Sequence, residues 1–396
     1  MPVVKKHKVP VPHLAIDFLA KKKIVPTDDW DELKYGEHAH AFTVAHSSGT
    51  DILDSIFALM NRASAEGISF GEFRNGILGA MKEKGWYGGA GHGKDEKGYI
   101  NWRIGVIYDT NMRTAYSQAH YREQLRGAEL RPIWVYNSLL SGNNRRQEHI
   151  ELHGKAFRYD DSFWDTYYPP NGWGCECYVT TESEHSAEKA GIAVEDSQNI
   201  TLPEIDPTWK YNVGREALAP NFSKYTNLPQ SALKDIYANY RNSMDGTRLT
   251  KGEFQTMIKR TNETDYKPLN VNYQVGNLDA ERFEAVRKKG VADSKIMSTD
   301  SILKHGTGKK NEGQKVPERL FSDLYETLQS PEAIYEEGVA DKLYRVFHFV
   351  KDMQDGNKLK VLLHQRKLKN GFTALQVRTI GYAQYEYTGG QYEKIW

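Results

Sequence analysis

Apolar positions recur at helical spacing through the first part of the chain. Ile52, Ile56, Leu59 and Met60 mark one amphipathic helix over 51–65, and Phe73, Ile77, Leu78 and Met81 mark a second over 70–84. Gly67 stands where the first must end, and Ser69 where the second needs an N-cap. A shorter amphipathic stretch at 13–23 precedes Pro26-Thr27-Asp28-Asp29, which offers a break and a new helix cap. After a glycine-rich loop at 88–98 comes a long helix over 102–126. Ile104, Ile107, Ala115 and Ala119 lie on one side of it, and Arg103, Arg113, Arg122 and Arg126 make it basic. A strand at 131–136, a helix at 143–154 and a strand at 177–181 complete this region.

The pattern then loosens. Residues 183–275 are polar and punctuated by Pro203, Pro207, Pro220 and Pro229, as in an extended connector with helices such as 231–243 and 251–260. From about Val271 helical patterns at 278–289 and 317–329 precede β-like runs at 343–351, 358–364 and 372–382. Helices followed by consecutive strands predict a small α+β domain. The expected fold class is α+β: a helical region over 1–90, a core over 91–182, a connector over 183–270 and an α+β domain over 271–396.

A chain of 396 residues is long for one core. Its mean hydropathy of −0.69 and 24 tyrosines fit a globular protein with much contact surface. A formal net charge of +1 gives no global field toward DNA, so nucleic-acid contact would need local patches. No apolar run approaches about 18 residues, so no membrane span is expected. The basic N-terminus lacks the apolar core of a secretory signal. Cys175 and Cys177 are the only cysteines; separated by a single residue, they do not suit an unstrained disulfide and point to synthesis in a reducing cytoplasm.

Four groups of residues carry candidate chemistry. Gly88-x4-Gly93-Lys94 has a phosphate-loop outline, but Asp95 replaces the magnesium-binding Ser or Thr, and a mobile loop is the better account. His149 and His153, four apart, would share a helix face, and with Cys175 and Cys177 they form a complete donor set for structural zinc. The alternative is hydrogen-bonded histidines and packed thiols. Asp160-Asp161, among the aromatics and prolines of 159–174, would make turns and caps rather than acid–base chemistry. In the last domain His305, near Lys309 and Lys310, has the makings of phosphodiester chemistry, with Arg378, Thr379, Tyr385 and Thr388 completing a site. A solvated basic loop is its plain alternative.

Several of these words, in this order and spacing, resemble the Mu F-like head-morphogenesis proteins of tailed bacteriophages. They include Glu37-His38-Ala39, the run from Ile107 to Tyr116, and the run from Arg131 to Tyr136. Arg146, His149, His153-Gly154, Asp160 to Trp164 and Pro169 to Cys177 follow. The likeness covers about 10–220. Two positions depart from the family's pattern: Glu176 stands where Arg is usual between the cysteines, and Ser162 where proline is expected.

The resemblance implies a minor head protein present in few copies, associated with the portal in the capsid interior, and able to leave with the DNA. Portal protein, major capsid or scaffold proteins and packaged double-stranded DNA would be its partners. It would be made in the host cytoplasm and found in the virion, with no catalysis in the shared core. The layout from Val275 to Thr379 more loosely resembles phage-borne nuclease domains of the barnase/colicin/RelE-like kind. This implies the alternative of a virion protein with an active ribonuclease-like effector domain, in which His305 and Arg378 are the catalytic candidates.

Overall fold

The computed structural model describes residues 12–47, 50–85, 96–140, 145–307, 315–338, 345–367 and 373–396. The fold is α+β, and the chain divides into two compact units. One is Met1–Pro220 with Lys224–Asn239, the other Asn221–Ser223 with Tyr240–Trp396.

In the first unit α1 (His13–Ala20), α2 (Thr50–Glu66), α3 (Phe70–Lys84) and α4 (Glu96–Arg126) form the helical part. The limits of α3 follow from its ends. Ser69 Oγ accepts the Glu72 N–H while Glu72 Oε2 accepts the Ser69 N–H at 2.7 Å, and Gly85 takes the left-handed φ of +67° that stops the helix. Ile52, Ile56, Met60, Phe73, Ile77 and Ile104 interlock between α2, α3 and α4. No helix follows Asp28-Asp29 directly. Glu32 instead accepts both of their backbone N–H groups at 2.6 Å, which folds the segment into a turn, and the next helix is the short Glu37–His40.

Behind α4 lies a four-stranded sheet of β1 (Ile133–Asn137), β2 (Ala156–Arg158), β3 (Tyr178–Glu182) and β4 (Val194–Glu195), in the order β3-β1-β2-β4. Between β1 and β2 the expected helix shrinks to α5 (Gln147–Glu151). Trp134 at its centre meets Tyr121, Tyr159, Trp164 and Tyr168 at ring-centroid distances of 5.5–6.3 Å. The turn-rich segment is thus pinned by aromatic packing. Asp161 acts in that turn, accepting the N–H groups of Phe163 at 2.7 Å and Ser197 at 3.2 Å. Downstream, α6 (Val213–Leu218) presses on α4 so closely that a Cβ at Gly214 would lie 2.5 Å from Tyr121 Cβ. Only glycine permits that approach.

Residues 183–270 are not merely extended. Trp209, Leu218 and Ile236 are buried in the first unit, and Phe254 and Ile258 in the second. The prolines start turns within this packed chain, as Pro207 does in the 3-10 turn Pro207–Trp209.

The second unit carries an eight-stranded sheet. Its strands are β5 (Thr247–Arg248), β6 (Asn272–Asn277), β7 (Lys295–Thr299), β8 (Ala333–Glu337), β9 (Val346–Asp352), β10 (Lys358–Lys367), β11 (Thr373–Ala383) and β12 (Tyr392–Lys394). Their order is β12-β8-β9-β10-β11-β7-β6-β5. The pairs from β12 to β11 are antiparallel, whereas β11 runs parallel to β7. One sheet face packs on helices, among them α7 (Asp300–Thr307) and α8 (Phe321–Gln329). There Phe347, Phe349, Val361, Leu363 and Ile380 are buried, and a Cβ at Gly306 of α7 would lie 2.6 Å from Ile380 Cβ. No described helix is long and apolar enough to cross a membrane.

Candidate functional site

The structure brings three of the four zinc candidates together. His149 sits on α5, and Cys175 and Cys177 on the segment leading into β3. The imidazole Nδ1 is 3.4 Å from Cys177 Sγ and 3.7 Å from Cys175 Sγ, and the three donor atoms lie within 4.8 Å of one another. His149 is only 2% exposed, and its Nε2 has no hydrogen-bond partner among the described residues. Both cysteines are free. Tyr136, from β1, reaches the same point: its hydroxyl lies 3.1 Å from Asn171 Oδ1 and hydrogen-bonds to Cys177. The sequence placed Tyr136 only at the end of a strand at 131–136 and gave no sign of this polar role.

The two thiols are driven apart in acidity. The Cys175 thiol hydrogen-bonds to Cys177 and holds its pKa well down, with His149 and Tyr136 adding to the effect against burial. That same shared proton, together with burial, pushes Cys175 up. Zinc binding needs both sulfurs as thiolates, and of the two only Cys177 is already pushed that way. The geometry passes a further test. Tetrahedral zinc, with sulfur at about 2.3 Å and nitrogen at about 2.0 Å, separates its sulfur and nitrogen ligands by about 3.5 Å. The observed separations bracket that value.

His153 is not part of this group. The chain leaves the helix at Leu152, and His153 is exposed, with its Nδ1 accepting the Ser138 N–H at 3.1 Å. The expectation of two imidazoles on one helix face required α5 to run through 153, and it stops short. Three protein donors therefore leave a fourth position to another ligand. Glu176, between the cysteines, turns outward and pairs with Arg113 of α4 at 2.7 Å.

In the second unit His305 is exposed on α7 and Arg378 is exposed on β11. Arg378 is the extra residue of a β-bulge: Leu362 pairs with Thr379 and Leu363 with Val377, which leaves it without a cross-strand partner. No hydrogen bond or ion pair joins His305 to Arg378 among the described residues. Lys309 and Lys310, like the glycine-rich Gly88–Lys94 motif, lie outside those residues.

Residues 61–180 match the family described as Phage Mu protein F like protein. This stretch is similar to the Mu F-like proteins. It contains His149, Cys175, Cys177 and Tyr136, whereas His305 and Arg378 fall outside it. The chain is 35% identical over 189 residues to the "Putative capsid assembly protein F" of Escherichia phage Mu, covering 46% of this chain and 43% of that protein. It is 36% identical over 244 residues to the "Mu-like prophage FluMu F protein" of Haemophilus influenzae, covering 53% of this chain and 58% of that protein. The chain thus spans about half the length of the curated relatives it matches. No solved structure matches.

Proposed function

We propose that this chain is a minor head protein of a tailed bacteriophage that works in capsid assembly, held in the capsid interior by the portal protein. The observation that carries this reading is the 35% identity over 189 residues to a protein named for capsid assembly. Portal, major capsid or scaffold proteins and packaged double-stranded DNA are its partners, and the host cytoplasm is where it is made. Exposed Trp30, Trp173, Tyr178, Leu139 and Leu140 give the first unit apolar side chains for protein contacts. Any DNA contact is local, because Arg113 and Arg126 of the basic helix already pair with Glu176 and Glu123.

The test is a pull-down of tagged protein from cells expressing the neighbouring head genes, with mass spectrometry of purified virions. Recovery with portal protein and presence in heads is the expected result. A free cytoplasmic protein absent from heads would overturn the reading.

Within the stretch similar to Mu F, His149, Cys175 and Cys177 hold a zinc that ties α5 to the start of β3, with its fourth ligand supplied from outside this trio. A second reading gives the virion protein an effector activity in its second unit. It is favoured by the compactness of that unit outside residues 61–180 and by the cationic, acid–base-capable residues His305 and Arg378 on its surface.

A further inference from the structure

The strand β9 reads as an unbroken apolar run, Val346-Phe347-His348-Phe349-Val350, with a histidine at its centre. Such a run belongs to a strand buried on both faces, yet the helices cover only one. Cross-strand register assigns the sides. Tyr335 pairs with His348, His348 with Leu362, Leu362 with Thr379, and Lys360 with Gly381. These residues share the face turned away from α7 and α8, and Glu337 joins them two positions along from Tyr335.

Part of that face is covered by the segment that follows β11. After β11 the segment 384–391 folds back and lays Tyr385 and Tyr387 across it. Gly381 makes this possible, because a Cβ there would lie 2.5 Å from the Tyr385 hydroxyl.

The polar groups beneath are ordered as a relay. His348, 1% exposed, meets Glu337 Oε2 through Nε2 at 3.2 Å and the Tyr387 hydroxyl through Nδ1 at 3.5 Å. Burial lowers its pKa despite Glu337, so the imidazole is neutral near pH 7, donating to Glu337 and accepting from Tyr387. Beside it Lys360 Nζ sits 4.6 Å above the Tyr385 ring and 5.5 Å above the Tyr387 ring. No hydrogen bond or ion pair is made by this ammonium among the described residues, and the loss of solvent lowers its pKa. Tyr387 in turn stacks on Tyr335 at 4.2 Å, with the rings 8° from parallel.

This half-buried cation lies against aromatic faces, and the nearby Glu337 carboxylate, which favours its charge, is hydrogen-bonded to His348 rather than to it. Tyr387 is already stacked, and the partly exposed Tyr385 beside it is the ring that another planar group can meet. Together they match a single nucleic-acid strand, whose phosphates need a cation and whose unpaired bases need a stacking platform. A duplex keeps its bases stacked inside and leaves the platform unused.

We propose that this face of the second unit is a binding site for single-stranded nucleic acid, with Lys360 taking a backbone phosphate and Tyr385 stacking a base beside the Tyr335–Tyr387 pair. It deepens the effector reading, on which it rests, and moves the centre of that reading away from His305. Glu337 and His348 are positioning residues, fixing the Tyr387 hydroxyl and so the ring above Lys360. Arg378 and Thr379, at the exposed bulge, extend the site along β11.

The experiment is fluorescence anisotropy of short end-labelled single-stranded RNA and DNA, and of the matching duplexes, with the full-length chain across a salt series. Wild type binds single strands more tightly than duplexes, and Lys360→Met weakens single-strand binding at least ~10-fold and lowers the salt slope by about 0.7. Lys360→Arg restores it, and Tyr387→Leu weakens it. Circular dichroism and melting of each variant separate lost binding from lost fold. Absence of single-strand binding, preference for duplex, or wild-type affinity in a folded Lys360→Met variant would overturn the site. The same oligonucleotides, followed for cleavage, keep the two ideas apart. Binding without cleavage removes only the enzymatic reading, whereas cleavage that survives Lys360→Met and fails in His305→Ala removes only this placement.

Discussion

His149 in the first unit and His348 in the second are both almost wholly buried, yet their surroundings ask different things of them. His149 turns one nitrogen to two thiols and leaves the other without a hydrogen-bond partner among the described residues. Both nitrogens of His348 are engaged, by a carboxylate and a phenol. An imidazole with converging thiols and a spare position is a ligand in waiting. One saturated by side chains is an orienting group. Histidine count and spacing do not separate these cases; the partners do.

Acid gives the largest expected difference between the units. Burial depresses His38 and His40, with neighbouring Lys22 contributing, to pKa values of about 4. The unfolded chain binds these protons from about pH 6.5 downward, and the folded one only near 4. Their stabilisation is therefore complete above 6.5 and lost as pH falls through 4, at roughly 3 kcal/mol for each site. Seven of the eight tryptophans precede residue 220, so tryptophan fluorescence in urea reports the first unit. Its midpoint should fall steeply between pH 6.5 and 4, and a flat midpoint would remove the buried-imidazole account.

Zinc comes next. Purified protein should carry about one zinc per chain, absent from the Cys175→Ser/Cys177→Ser variant by elemental analysis. Chelation should cost the first unit on the order of 4 kcal/mol if free zinc had stood ~1,000-fold above its dissociation constant. Metal-free protein with an unchanged melt would return His149 to a packing role. The smallest effect belongs to Glu176→Arg, which places there the residue that the family resemblance led one to expect. Its half-exposed pair with Arg113 is worth at most about 1 kcal/mol, so the thermal midpoint should barely move. A large loss would mean that Glu176 supports the thiols directly.

Local signals were readable wherever they were complete. The α3 limits followed from Ser69, Glu72 and Gly85 because a capping box and a left-handed glycine are short-range facts. Strands β9, β10 and β11 lay close to the apolar runs that announced them. His153 was misplaced because identical spacing in a helix and in a helix end cannot be told apart without knowing that α5 stops at Glu151. His348 went unnoticed because a polar residue inside an apolar run looks like an interruption until the register reveals Glu337 and Tyr387, each more than ten residues away. The prolines of 183–270 suggested a spacer; the burial of Trp209 and Phe254 depends on contacts no local pattern encodes.

Glu37 has a bearing on the order in which the protein is made. Its buried carboxylate accepts the backbone N–H groups of Lys34 and Asn227, both at 2.7 Å, the second from 190 residues further along the chain. During synthesis that carboxylate waits, still in need of water, until residue 227 has left the ribosome. At about 5–20 residues per second this interval lasts roughly ten to forty seconds. The first unit is therefore finished late by its own far end, and a nascent chain halted near residue 200 would hold most of that unit's residues but not its closure.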